Sequence, residues 1–181
     1  FHSPAFTYQG GHLEMIQLWV NLPAADKMTP PSYQGITREQ IPVVPLDDGK
    51  GEIRVIAGDY QGHKGPARTF SPMLVWDVTV QAHANVVLDV PDGWNTAVIA
   101  RSGSTLINEH ARTAAGQMVV LSATGDQVQI QAEAESQLLL IAGEPLNEPV
   151  EGYGPFVMNT KEEIRQAIRD FQQGDFGKMS S

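Results

Sequence analysis

MLVWDVTVQAHANVVLDVPDGWNTAVIARSGSTLIN, residues 73–108, decides the fold class. Its runs 73–81, 85–90, 96–101 and 104–108 are each of strand length and rich in β-branched residues, with the turn formers of PDGWN (91–95) and Gly103 between them. In Val78-Thr79-Val80-Gln81 every second side chain is apolar, which gives a strand one dry face and one wet face. The pattern continues on both sides. Runs 41–46 and 52–58 precede the stretch across DDGKG (47–51), and runs 117–122, 127–132 and 136–142 follow it, divided by Gly116 and TGD (124–126). Val128-Gln129-Ile130-Gln131 alternates as cleanly as the first run. Many short strands with regular turns predict an all-β sandwich or jelly-roll barrel.

The two ends read differently. Near the start, LEMIQLWVNL (13–22) is a mostly apolar run bounded by Gly10-Gly11 and Pro23, and it reads as a strand buried on both sides. The Pro-rich, polar stretch 23–40 after it is long for a loop inside one domain and reads as an inter-domain linker. At the other end the period changes. Thr160-Lys161-Glu162-Glu163 fits a capping box, and Ile164, Ala167, Ile168 and Phe171 fall on one stripe, so a helix is predicted over about 160–173, ended by Gly174. Its other face carries Lys161, Glu162, Arg165, Arg169 and Asp170 and reads as solvated surface.

Composition narrows the function classes. A net charge of −9 with 12 basic residues leaves no broad basic surface to neutralise phosphates, so direct nucleic-acid binding is disfavoured. The chain has no cysteine, which removes disulfides, thiolate ligands and a Cys nucleophile together and fits a reducing, cytoplasmic setting. No apolar run reaches the roughly 18 residues of a membrane span.

At this point residues carry a specific likeness. GGHLEMIQLWVNLPAADKMTPPSYQ (10–34), IRVIAGDYQGHKGP (53–66), LLLIAGEPLNEPV (138–150) and GPFVMNTKEEIRQAIRDFQQGDF (154–176) resemble, in the right order, stretches of the pirin family. Pirins are bicupins, two stacked β-barrels joined by a linker with a C-terminal helix across the molecule. The resemblance therefore implies a cupin-type double-stranded β-helix, a jelly-roll barrel, over 41–150, followed by a C-terminal segment 151–181 that bears the helix. It implies that residues 1–22 are the remnant of an N-terminal barrel whose leading part precedes this chain, which begins at Phe1 rather than Met.

The family binds a non-haem iron in that first barrel, through an H-x-H pair, a later His and a Glu two residues beyond it. His2-Ser3-Pro4 matches the later segment, so the resemblance places His2 at the third histidine position and Pro4, which has no side-chain donor, where the Glu would stand. His2 alone is an incomplete metal site, because affinity requires about three preorganised ligands. The other histidines, His12, His63, His83 and His110, form no H-x-H or H-E-x-x-H spacing. The barrel over 41–150 is accordingly expected to be metal-free, with no catalytic residue and no cofactor of its own. The loop YQGHKGPAR (60–68) surrounds His63 with Gly58, Gly62, Gly65, Lys64 and Arg68, and its glycines serve either an anion at the backbone amides or simple positive-φ demands. Paired acids Asp47-Asp48 and Glu133 with Glu135 sit in turns, and Trp19, Trp76 and Trp94 read as barrel or interface packing.

Two functions follow as expectations from the resemblance. The first is a structural or regulatory role through a protein partner, a transcription regulator or a metabolic enzyme. The second makes the chain part of an iron-dependent quercetin 2,3-dioxygenase-like pirin whose active site lies in the other barrel, so that this stretch alone would not be an active enzyme. A third, a small-molecule binding barrel, rests on the roominess of such interiors. An apolar strand at 13–22 without its own barrel would also invite a dimer or a swapped assembly.

Overall fold

The computed structural model describes residues 4–176, so His2 lies outside the described residues. A short helix α1 (Pro4–Gln9) comes first. The strands follow as β1 (Val43–Pro45), β2 (Gly51–Ala57), β3 (Asp59–Tyr60), β4 (His63–Lys64), β5 (Met73–Val80), β6 (Asn85–Asp89) and β7 (Asn95–Ser102). Then come β8 (Ser104–Ile107), β9 (Ala111–Ala114), β10 (Met118–Val120), β11 (Gln127–Ala132), β12 (Ser136–Gly143), β13 (Glu151–Tyr153), β14 (Phe156–Met158) and helix α2 (Lys161–Gln173).

Strand alternation builds two sheets. A six-stranded antiparallel sheet runs β1-β2-β5-β12-β7-β10, and a four-stranded one runs β6-β11-β8-β9. In β5 the burial alternates residue by residue, with Leu74, Trp76, Val78 and Val80 turned inward. They meet Leu138 and Leu140 of β12, and from the other sheet Leu88, Ile107, Val128 and Ile130, in one continuous core. The outcome is a jelly-roll of the cupin type with two small hairpins, β3-β4 and β13-β14, beside it. No ladder joins the edges of the two sheets among the described residues, so the roll is not closed into a ring.

Several elements depart from the sequence expectation, the helix α1 and the hairpin β3-β4 among them. Residues 13–22 form no strand and are exposed through residue 20, because no neighbouring strand among the described residues pairs with their backbone. Strand β9, ARTA, shows no apolar alternation because the residue it buries is Thr113, whose hydroxyl pairs with that of Thr105 at 2.7 Å. Hairpin β13-β14 was hidden in the same way, since neither strand buries a residue fully.

Helix α2 follows its capping box. The Thr160 N–H donates to Glu163 Oε2 (2.8 Å), and the Glu163 N–H donates back to Thr160 Oγ1 (3.2 Å). Gly174 closes the helix in the left-handed region (φ 81). Ile164 and Ala167 are buried, while Phe171 stacks edge-on with Phe156 and Phe176 at 6.0 Å each. Replacing Thr160 by Ala is expected to destabilise the first turn by about 1 kcal/mol. Amide exchange at Glu162 to Ile164 would report that loss directly.

Candidate functional site

The interior of the roll, where a cupin would hold an ion, is filled with hydrocarbon. Ile53, Val55, Val78, Val98, Val128, Ile130, Leu138 and Leu140 leave it no charged group, and the buried polar side chains are Thr96, Thr105, Thr113 and Ser136. Hydroxyls alone make a poor transition-metal donor set. His12, His63, His83 and His110 all lie on the surface, and no group of three potential ligands converges among the described residues. The iron that the family resemblance implies therefore does not fit the described residues, and Pro4 offers no carboxylate.

The loop around His63 is settled by its own contacts. The Gly62 N–H donates to the Asp59 carboxylate at 2.9 Å, so an amide that would face an anion already has one. At Gly58 (φ 79) an added Cβ would lie 2.5 Å from Met73 O, and at Gly65 it would lie 2.6 Å from the Ile56 backbone. These glycines serve close packing rather than a ligand. The turn acids are similarly engaged: Asp48 sits 3.6 Å from Lys50, and Glu133 takes Ser104 and Arg112. Trp76 is buried against Tyr60 (5.1 Å, edge-on). Burial, then the charges of Asp47 and Asp89, pushes the Tyr60 phenol above its usual range. Trp94 packs on the core, whereas Trp19 departs from the packing expectation and is exposed.

The concave surface lies instead on the outer face of the six-stranded sheet, beneath residues 14–21. One groove of about 530 Å³ has Leu18 to Asn21 along one wall with Ile141, Val120 and Val150 opposite. A second of about 440 Å³ is bounded by Glu14, Ile16, Leu18 and Val20 above and by Met73, Val75 and Leu139 below. Only alternate residues of the segment reach this second groove, which is the period of an extended strand. Of the intervening residues, Leu13 (63%), Met15 (74%) and Gln17 are open to solvent, while Trp19, though 68% exposed, also borders the first groove. The segment is thus a strand in its side-chain pattern without a ladder.

A row of charges crosses the same face. Arg54 Nη1 donates to Asp77 Oδ2 (3.1 Å), Arg101 Nη1 to Asp77 Oδ1 (2.8 Å), and Arg101 Nε to Glu14 Oε1 (3.0 Å). Arg54 and Asp77 are direct cross-strand partners on β2 and β5. The hydrogen bond and charge of Arg101 hold the Glu14 carboxyl below the usual carboxylate range, and Glu14 in turn, with Asp77, pushes the Arg101 guanidinium up. None of these four residues stood out in the sequence. Asp77 inside the apolar run MLVWDVTV was the one available signal.

Residues 75–177 match a known family model, the pirin C-terminal cupin domain. The chain belongs to the pirin family. A Pseudomonas aeruginosa protein named "Putative quercetin 2,3-dioxygenase" is 48% identical over 97% of this pirin chain and 61% of its own length. Pirin of Homo sapiens is 39% identical over 90% of the chain and 57% of its own length. A crystal structure of quercetin 2,3-dioxygenase from Acinetobacter baumannii superposes with a TM-score of 0.93 at 47% identity, covering 99% of this chain and 62% of that one. The pirin chain thus spans less than two thirds of each of these relatives. No helix among its described residues is long and apolar enough to cross a membrane.

Proposed function

We propose that this chain is the metal-free second barrel of a pirin, acting in the cytoplasm through protein contacts, with residues 13–22 as the closing strand of a first barrel. One observation carries the reading: the interior at 41–150 is filled with aliphatic side chains, while Leu13, Met15 and Trp19 form an uncovered apolar face on the outside. Hydrocarbon on both faces of an extended segment suits a strand between two layers. The partner of the assembled protein would be a transcription regulator or a metabolic enzyme. Where the face is left uncovered, self-association or swapping is the alternative outcome.

Similarity to proteins named as quercetin 2,3-dioxygenases supports a second reading, in which the longer protein is an iron-dependent enzyme of that type. Its chemistry would then lie in the preceding barrel, since the described residues hold no donor cluster.

The test compares this 181-residue chain with a longer protein carrying a preceding barrel. The chain alone should bind no stoichiometric Fe(II) and turn over no quercetin. Amides of residues 13–20 should exchange freely in it and become protected in the longer protein. A full equivalent of iron or quercetin turnover by the chain alone overturns the reading.

A further inference from the structure

The geometry points to Arg101 as the residue that sets the register in which residues 13–20 lie across the six-stranded sheet, acting through Glu14. Side chains of an extended segment alternate, so a slip of one residue exchanges its two faces. Hydrocarbon chooses between them only weakly, since one face offers Ile16, Leu18 and Val20 and the other Leu13, Met15 and Trp19 interrupted by Gln17, and a slip of two residues keeps the same face inward. The backbone does not choose, since no backbone hydrogen bond joins residues 11–22 to the sheet among the described residues.

What remains is charge. Glu14 is the sole acidic residue between positions 4 and 25, and the cation it meets is Arg101, through Nε at 3.0 Å. Without Glu14 the face would carry Arg54 and Arg101 against Asp77 alone, an uncompensated positive charge under an apolar segment. A slip of one residue would set Leu13 or Met15 over Arg101, and a slip of two would set His12 or Ile16 there. Only one register answers the guanidinium with a carboxylate. A single buried polar side chain can fix register in this way even where it adds no stability, as an asparagine does in coiled coils. Arg101 is therefore a positioning residue, and its effect is to decide which residues of the segment turn to the sheet, leaving Leu13 and Met15 outward. This goes beyond the proposed function and does not depend on a first barrel being present.

The absence of cysteine makes a clean assay possible. Two doubly substituted chains are compared by disulfide yield in a glutathione buffer: Leu18→Cys with Leu139→Cys, both of which border the second groove, and Trp19→Cys with Leu139→Cys. The first pair should oxidise in strong preference to the second. Adding Glu14→Gln or Arg101→Met should lower that preference about two- to fivefold, the scale of an exposed ion pair, while Arg101→Lys should retain most of it. Thermal unfolding of each variant guards against a barrel that has lost its fold, and Glu14→Gln leaves the barrel itself untouched. An unchanged preference in Glu14→Gln and Arg101→Met overturns the inference. So does a loss in Arg101→Met that Glu14→Gln fails to reproduce, because Arg101 would then act through the sheet and not through the segment. Both readouts come from this chain alone and are independent of iron and quercetin.

Discussion

Asp77→Asn is expected to destabilise the domain by about 2 kcal/mol, although the side chain keeps its size. Asp77 is 14% exposed and lies between two guanidiniums, accepting from Arg54 on one oxygen and from Arg101 on the other. Asparagine keeps one acceptor oxygen and turns an N–H₂ toward the second arginine, so a donor meets a donor. The negative charge is lost at the same time. Two cations, from β2 and β7 of the same sheet, are left without their shared carboxylate in a half-buried setting, where screening by water is incomplete. Breaking a fully buried pair costs about 3–5 kcal/mol, and the residual exposure here reduces that figure. Chemical denaturation of Asp77→Asn would measure it. The cost comes from stranded charge and not from missing contacts, so the triple substitution Arg54→Met, Asp77→Leu, Arg101→Met should recover most of the loss. If the triple variant were less stable than the single one, packing and not electrostatics would explain Asp77.

The contrast between what the sequence disclosed and what it hid follows from the range of each signal. Strands β5 and β11 were legible because alternation is local: Val78 and Val80, or Val128 and Ile130, point one way whatever lies opposite. Helix α2 was legible because Thr160 and Glu163 satisfy each other within one turn. Residues 13–22 show the limit of that logic. Their side chains do alternate like a strand, but a strand is also defined by its neighbour, and no local pattern names the neighbour. The charge row was out of reach for a related reason. Arg54, Asp77 and Arg101 meet because β2, β5 and β7 share one sheet, and Glu14 reaches Arg101 from a segment outside it. Each alone reads as an ordinary charge on the wet side of a strand. The aliphatic filling of the interior follows from the inward residues of the same alternating strands.

That filling leads to the second large effect. Leu140→Ala is expected to destabilise the domain by about 3 kcal/mol, whereas Leu139→Ala should cost about 1 kcal/mol. The two residues are adjacent on β12 and face opposite ways. Leu140 is fully buried between the two sheets, where it meets the core shared by Val98 and Trp76. Shortening it removes hydrocarbon from a site that cannot collapse, because ladders to β5 and β7 hold the strand on both sides. Leu139 points to the outer face, where its cover is the unpaired segment above the 440 Å³ groove. That cover is not fixed by backbone bonds, so it can settle onto the smaller residue and offset much of the loss. Thermal unfolding of the two variants side by side gives the comparison. The space opened by Leu140→Ala should stay dry, since an apolar cavity offers water no partners, and it should not gain affinity for a transition metal. Equal losses from the two substitutions would mean that residues 14–20 are packed as firmly as the core, and the idea of an outer face awaiting a partner would fail with them.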